Sequence, residues 1–124
     1  MYNITVDRPR RIVCVSMSGF FSEDEVSAFA RDEQAAAASL RCPSGQFGLL
    51  LDAGGGVTQS QDVIGAFQAL MVDLPLKAGR IAIVSGSALL KLQLRRIMTS
   101  ERTGVFDTID DARTWIEQGL TTAA

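Results

Sequence analysis

Residues 49–62 have the sequence LLLDAGGGVTQSQD, in which three leucines and a carboxylate are followed by three glycines and a polar segment. A short continuous apolar run of this kind predicts a strand that is buried on both faces. The pattern after the glycines predicts a helix that begins at Thr58 or Ser60. Because open α/β sheets bind ligands and partners where strands end and helices begin, the stretch also indicates a working surface.

Strand and helix signals alternate on both sides of this stretch. Strands are predicted at residues 3–6, 11–17, 47–51, 80–84 and 105–106, and the first two form a hairpin across residues 7–10. Helices are predicted after Ser22, after Thr58 or Ser60, after Ser87 and after Thr108. This alternation favours an α/β fold with a mostly parallel sheet and right-handed crossovers.

We therefore expect one domain over residues 1–120 and a frayed tail at residues 121–124. Its mixed sheet should contain about five strands, with an antiparallel hairpin at one edge, and four helices should follow in the order β-β-α-β-α-β-α-β-α.

The residues before the first predicted helix indicate how that helix begins. Ser22 and Glu25 have the spacing of a capping box, in which each side chain bonds the other residue's backbone N–H. Phe21 and Val26 fit a hydrophobic staple, which leaves the neighbouring Phe20 to be exposed.

Composition excludes several classes of function. The 124 residues carry a net charge of -2, so neither nucleic acid nor an anionic membrane is suggested as a partner. The chain lacks histidine, which excludes Ser-His-Asp and Cys-His catalysis and the commonest zinc sites. We expect no metal, no cofactor and no enzymatic activity.

No apolar run reaches the roughly 20 residues of a membrane-spanning helix, and the N-terminal residues do not resemble a signal peptide. These features predict a cytoplasmic protein. Cys14 and Cys42 are then expected to be free thiols, one buried and one near the surface.

Three segments carry a resemblance to a known family. They are the LLLD strand at 49–52, the sequence RIAIVS at 80–85 and the sequence VFDTIDDARTWI at 105–116. With the order of the elements, they resemble the SpoIIAA-like branch of the STAS superfamily, which includes anti-sigma factor antagonists, domains of sulfate transporters and stand-alone bacterial proteins. The resemblance implies a regulatory or protein-interaction module.

The resemblance also places a regulatory position. In the anti-sigma factor antagonists, a serine in an Asp-Ser-Ser-Gly motif at the start of the helix after the third strand is phosphorylated, and the added charge abolishes binding. Alignment on the Asp52 strand brings Ser60, Gln61 and Asp62 onto that motif, so Gln61 replaces the regulated serine. Thr58 or Ser60 would serve only after a shift of register, and a hydroxyl at a helix start is usually a cap.

Two groups of residues are candidates for the functional site. The first group follows the predicted strand ends and forms an interaction or ligand surface: Asp52, Gly54, Gly55, Gly56, Thr58, Ser60, Gln61, Asp62, Ser85 and Ser87. The second group is a local basic cluster that suits an anion or an acidic partner, or simply a solvated face: Lys91, Arg95, Arg96 and Arg102. The glycines match neither a Walker loop nor a dinucleotide loop and favour a tight or mobile turn.

Three classes of function are compatible with these residues. We favour a protein-interaction module that docks through residues 52–62 and the following helix. The alternative is a binder of a small apolar or anionic ligand in a cleft at the carboxyl ends of the strands, which Ser85 and Ser87 would share with Asp52. An enzyme would need Asp52, Asp62, Ser85 or Ser87 to act without histidine. A homodimer through the edge hairpin or a helix face is also open.

Overall fold

A computed structural model describes residues 1–56, 58–97 and 101–121. Within these ranges the chain forms five strands and four helices in the predicted order. They are β1 (Tyr2–Asp7), β2 (Ile12–Gly19), α1 (Glu23–Ser39), β3 (Gly48–Gly56), α2 (Gln61–Asp73), β4 (Arg80–Val84), α3 (Ala88–Ile97), β5 (Thr103–Phe106) and α4 (Ile109–Thr121). Thr121 belongs to α4, and the rest of the predicted tail lies outside the described residues.

The strands form one mixed sheet in the order β1-β2-β3-β4-β5. Strand β1 pairs antiparallel with β2, and the remaining pairs are parallel, as the sequence predicts. A single register row crosses the whole sheet through Asn3, Ser16, Asp52, Val84 and Phe106. Residues in register share a face, so Asp52 projects from the same side of the sheet as Val84.

The sheet is covered by helices on both faces, but unequally. On one face, strand residues such as Val15, Leu51 and Ile83 form a core with Phe29 of α1 and Leu90 of α3. On the other face, α4 packs mainly on β3, β4 and β5. Its buried residues there are Ala112, Ile116 and Leu120, which meet Ile12, Leu50, Ala82 and Val84. Helix α4 covers only the half of this face that β3, β4 and β5 form. Asn3 of β1 and Ser16 of β2, which belong to the register row described above, are therefore exposed.

Helix α4 is attached to the sheet through Trp115. The Arg80 guanidinium lies 4.5 Å from the Trp115 ring centroid and also donates a 2.6 Å hydrogen bond to the Trp115 carbonyl oxygen. The Phe106 ring also packs against Trp115, with a distance of 5.3 Å between the two ring centroids. A Cβ at residue 104 would lie 2.8 Å from the Phe106 ring, so the glycine there leaves the room that this packing needs.

The structure differs from the prediction at the glycines, which form no turn. Strand β3 runs through to Gly56, although its pairing with β4 ends at Asp52. Beyond Asp52 it pairs with β2 alone, after a register shift between Ser16 and Ser18. The prediction of a turn was wrong because β2 extends to Gly19 and supplies the glycines with a partner strand.

The start of α1 largely follows the prediction. The Ser22 hydroxyl accepts a 3.1 Å hydrogen bond from the backbone N–H of Glu25. In a complete capping box, the Glu25 side chain would accept a hydrogen bond from the Ser22 N–H. Here the Glu25 carboxylate lies 2.8 Å from the amino nitrogen of Met1 instead. Phe21 is buried with Val26 in one cluster, as the staple predicts.

Candidate functional site

The candidate site lies at the carboxyl edge of the parallel strands, where one glutamine side chain joins two loops. The Gln59 side-chain oxygen accepts a 2.9 Å hydrogen bond from the backbone N–H of Phe21. Its side-chain nitrogen donates a 3.1 Å hydrogen bond to the carbonyl oxygen of Gly19. The amide therefore satisfies both the donor and the acceptor that flank Phe20, and it fixes the β2–α1 loop to the β3–α2 loop.

A second glutamine ties the same loop to α3. The backbone N–H of Gln59 donates a 3.0 Å hydrogen bond to the side-chain oxygen of Gln93. The side-chain nitrogen of Gln93 donates a 3.1 Å hydrogen bond to the Gln59 carbonyl oxygen. We call Gln59 and Gln93 the glutamine clamp, since their side chains connect the β2–α1 loop, the β3–α2 loop and α3 through four hydrogen bonds.

Apolar side chains are exposed on both sides of the glutamine clamp. Phe20 is 76% exposed between the two residues that Gln59 holds, and Leu89 is 71% exposed one turn before Gln93 on α3. The edge therefore presents two large apolar side chains to solvent, beside backbone that the glutamine clamp holds.

Asp52 lies beside this edge in an open groove. Its Oδ1 atom accepts a 3.0 Å hydrogen bond from the Gly54 N–H. The groove has a volume of about 440 Å³ and is lined by Met1, Tyr2, Asn3, Ser16, Met17, Ser18, Asp52 and Gly54. The charged side chain among these lining residues is acidic, and β1 and β2 supply most of the wall.

The predicted serines act as caps in the structure. The Ser60 hydroxyl accepts a 3.3 Å hydrogen bond from the Val63 N–H at the start of α2. Ser87 accepts one of 3.2 Å from the Leu90 N–H in the first turn of α3. Ser85 is 1% exposed and accepts a 3.1 Å bond from the Ser87 N–H, so it lies beneath the surface rather than in the groove that Asp52 lines.

The remaining predicted residues of the first group are close to Gln59 in the sequence. Thr58, Gln61 and Asp62 are exposed, and the last two form the start of α2. The backbones of Gly55 and Gly56 pair with β2. The edge therefore presents the polar start of α2 next to residue 59, while Asp52 and Gly54 belong to the groove.

The predicted basic cluster divides into parts with different surroundings. Lys91 forms an ion pair with Asp107, and this ammonium group holds the pKa of the Asp107 carboxyl below its ordinary value. Arg95 and Arg96 are exposed in the last turn of α3. Arg102 is exposed immediately before β5, and its carbonyl oxygen accepts a hydrogen bond from the Ile81 N–H.

The remaining observations concern metal ligands, cysteines and membrane-spanning helices. No group of three or more His, Cys, Asp or Glu side chains suited to a metal occurs among residues 1–56, 58–97 and 101–121. Cys14 and Cys42 are both free and half-buried, and burial raises the pKa of the Cys14 thiol, which disfavours the nucleophilic thiolate. The same ranges contain no helix that is both long and apolar enough to span a bilayer.

The order of the elements and the mixed sheet define an α/β fold of the SpoIIAA-like type, and comparison with solved structures agrees. The chain is similar to an uncharacterised protein of the DUF3478 family with a SpoIIAA-like fold from Shewanella loihica PV-4, with a TM-score of 0.71 and 16% identity over 93% of each chain. It is also similar to an anti-sigma factor antagonist from Mycobacterium paratuberculosis, with a TM-score of 0.62 and 15% identity over 94% of each chain. No protein-family model and no curated protein matches the sequence. The predicted SpoIIAA-like fold is thus confirmed.

Sequence reasoning missed the glutamine clamp. The partners of Gln59 lie 34, 38 and 40 positions away, and an isolated glutamine in a loop belongs to no motif. The available sequence signal is the position of Gln59 directly before the helix cap Ser60. The fold brings this loop beside the end of β2.

Proposed function

We propose that this chain is a non-enzymatic regulatory module that binds a protein partner through its carboxyl edge, in the cytoplasm. The observation that carries the proposal is the exposure of Phe20 between two residues whose backbones Gln59 holds. An aromatic side chain on ordered backbone loses little conformational freedom on binding, and such anchors supply most of the energy of many interfaces. The likeness to an anti-sigma factor antagonist supports a regulatory role of this kind.

The start of α2 supports a module without the usual phosphoserine switch. Gln61 is the first residue of α2 and carries an amide at the position where the family resemblance implies a regulated serine. The hydroxyl of the neighbouring Ser60 is engaged as the helix cap. Asp62 follows in the first turn, so neither Gln61 nor Asp62 offers a hydroxyl that could receive a phosphate.

The groove supports a protein partner better than an anionic small molecule. Its charged groups are the Asp52 carboxylate, which repels an anion, and the Met1 amino group, which already pairs with Glu25. The groove is also open rather than enclosed.

The proposal is tested by affinity capture from cytoplasmic extract of the native cell, with three forms of the purified chain. These are the wild type, the Phe20→Ala variant and the Val72→Ala control, because Val72 is 71% exposed on α2 and so matches Phe20 in exposure. A captured protein is identified by mass spectrometry, purified, and titrated against each form.

We expect Phe20→Ala to weaken binding at least about tenfold, which corresponds to about 1.4 kcal/mol and is typical of an anchor residue. Val72→Ala should bind like the wild type. Equal affinity of all three forms, or repeated failure to capture any specific protein, would contradict the proposed function.

A further inference from the structure

Helix α3 has an outer face whose composition differs from the rest of the surface. Leu90 and Leu94 pack into the core on the face of the sheet that α1 and α2 also cover. At 3.6 residues per turn, the residues opposite them span an arc of about 120°. This outer face of α3 consists of Leu89, Leu92, Arg95 and Arg96.

Both the apolar and the basic residues of this face are exposed. Leu89 and Leu92 are 71% and 54% exposed, although leucine is among the residues most often found inside proteins. Arg95 and Arg96 lie in the next turn of the same face and are exposed as well. Lys91 lies to one side of the face and pairs with Asp107. The charges of Lys91 and, more weakly, Arg95 lower the pKa of the Asp107 carboxyl, so three basic side chains face one acid at this end of the helix, and the face keeps a net positive charge.

The charge of this face is opposite to that of the whole chain. The chain carries a net charge of -2, whereas the outer face of α3 carries two arginines and no acidic residue. A basic surface on an acidic molecule attracts partners that carry a complementary negative charge.

We propose that the outer face of α3 binds an acidic amphipathic segment of the protein partner. Apolar side chains of the segment pack on Leu89 and Leu92, and its carboxylates pair with Arg95 and Arg96. This inference rests on the proposed function, because it assigns a chemical class to the partner that the carboxyl edge would bind. Gln93 connects the two surfaces, since it lies on α3 and bonds to Gln59.

An anionic membrane is the other occupant that a basic and apolar helix face suggests, and the structure favours it less. Lipid-binding segments use clusters of roughly 4–8 Lys or Arg, with about 1 kcal/mol from each. The outer face of α3 has two arginines, and the buried Leu90 and the partly buried Leu94 hold the helix against the core.

The test uses designed peptides and the full chain. The first probe is a helical peptide with leucines on one face and glutamates on the flanks, the second has lysine at every glutamate, and the third has serine at every leucine. Vesicles that contain phosphatidylserine are a separate probe. Binding is followed by chemical-shift changes in amide spectra of the labelled chain and by anisotropy of a labelled peptide.

The variants are the charge reversal Arg95→Glu with Arg96→Glu, and the apolar removal Leu89→Ser with Leu92→Ser. Arg31→Glu on the exposed surface of α1 is the matched charge control. We expect the glutamate peptide to shift α3 amides of the wild type and to bind the charge-reversed variant at least about tenfold more weakly. The lysine peptide should prefer the charge-reversed variant, and this exchange of preference cannot arise from misfolding.

Equal binding of glutamate and lysine peptides to the wild type would overturn the inference, as would vesicle binding without peptide binding. The inference about α3 and the proposed function can fail independently of each other. If a captured partner depends on Phe20 but binds the charge-reversed variant with unchanged affinity, the carboxyl edge is functional and the outer face of α3 is not part of its interface.

Discussion

Replacement of Gln59 by alanine should loosen the carboxyl edge while leaving the apolar core intact. The variant loses two side-chain hydrogen bonds, one of 2.9 Å from Phe21 and one of 3.1 Å to Gly19. A net contribution of about 0.5–1.5 kcal/mol for each bond predicts a loss of about 1–3 kcal/mol in the free energy of unfolding. The backbone bonds between residue 59 and Gln93 can still form in this variant, so the effect reports on the loop that holds Phe20.

The assay is urea unfolding at fixed pH, together with hydrogen exchange of the Phe21 amide. In the wild type this N–H is bonded to Gln59, so its exchange should be slow, and it should accelerate in Gln59→Ala. Gln68→Ala is the matched control, since Gln68 is exposed on α2 and its replacement should change stability by no more than about 0.5 kcal/mol.

The combination of Gln59→Ala with Gln93→Ala tests whether the glutamine clamp acts as a unit. Gln93 positions the backbone from which the Gln59 side chain reaches the β2–α1 loop. We therefore expect a coupling energy of at least about 0.5 kcal/mol between the two replacements. The reasoning is refuted if Gln59→Ala costs no more than Gln68→Ala and the exchange of the Phe21 amide is unchanged.

Three further predictions concern stability away from the carboxyl edge. Glu33 is 2% exposed, and burial raises the pKa of its carboxyl, so the folded state disfavours its charged form. The free energy of unfolding of Glu33→Gln, relative to that of the wild type, should thus increase as the pH rises from about 4.3 through the folded pKa of Glu33. The increase should be about 1.4 kcal/mol for each pH unit that separates the folded pKa from the unfolded pKa. A difference in urea unfolding that does not depend on pH would contradict this prediction. At Gly79, a Cβ would overlap the carbonyl oxygen of Gly45, so Gly79→Ala should cost about 1–3 kcal/mol. Gly65→Ala in α2 meets open space and should stabilise by about 0.5–1 kcal/mol, and thermal melts that show the same sign for both would refute the packing argument.

The order of the elements was predictable because local patterns determine it. The buried strand at Arg80–Val84 is a continuous apolar run after its first residue, and Ser22, Ser60 and Ser87 cap helices at positions that the sequence indicates. Such signals depend on neighbours within about four residues, so they survive without knowledge of the tertiary structure.

The candidate site was less predictable because its contacts are long-range. Gly54 to Gly56 have a local preference for turns, but pairing with the extended β2 keeps them in the sheet. Lys91 and Arg95 were predicted to form one cluster with Arg96 and Arg102, but β5 brings Asp107 to Lys91 and removes its charge from the surface.

The position of Trp115 gives the molecule a built-in optical reporter. It is the one tryptophan of the chain, and in the α4 layer it contacts both Arg80 and Phe106. Helix α3, in contrast, packs with the core on the opposite side of the sheet. Its emission should change when α4 separates from the sheet and stay constant when a partner occupies α3. Fluorescence of the unlabelled protein can therefore distinguish docking from denaturation in a single titration.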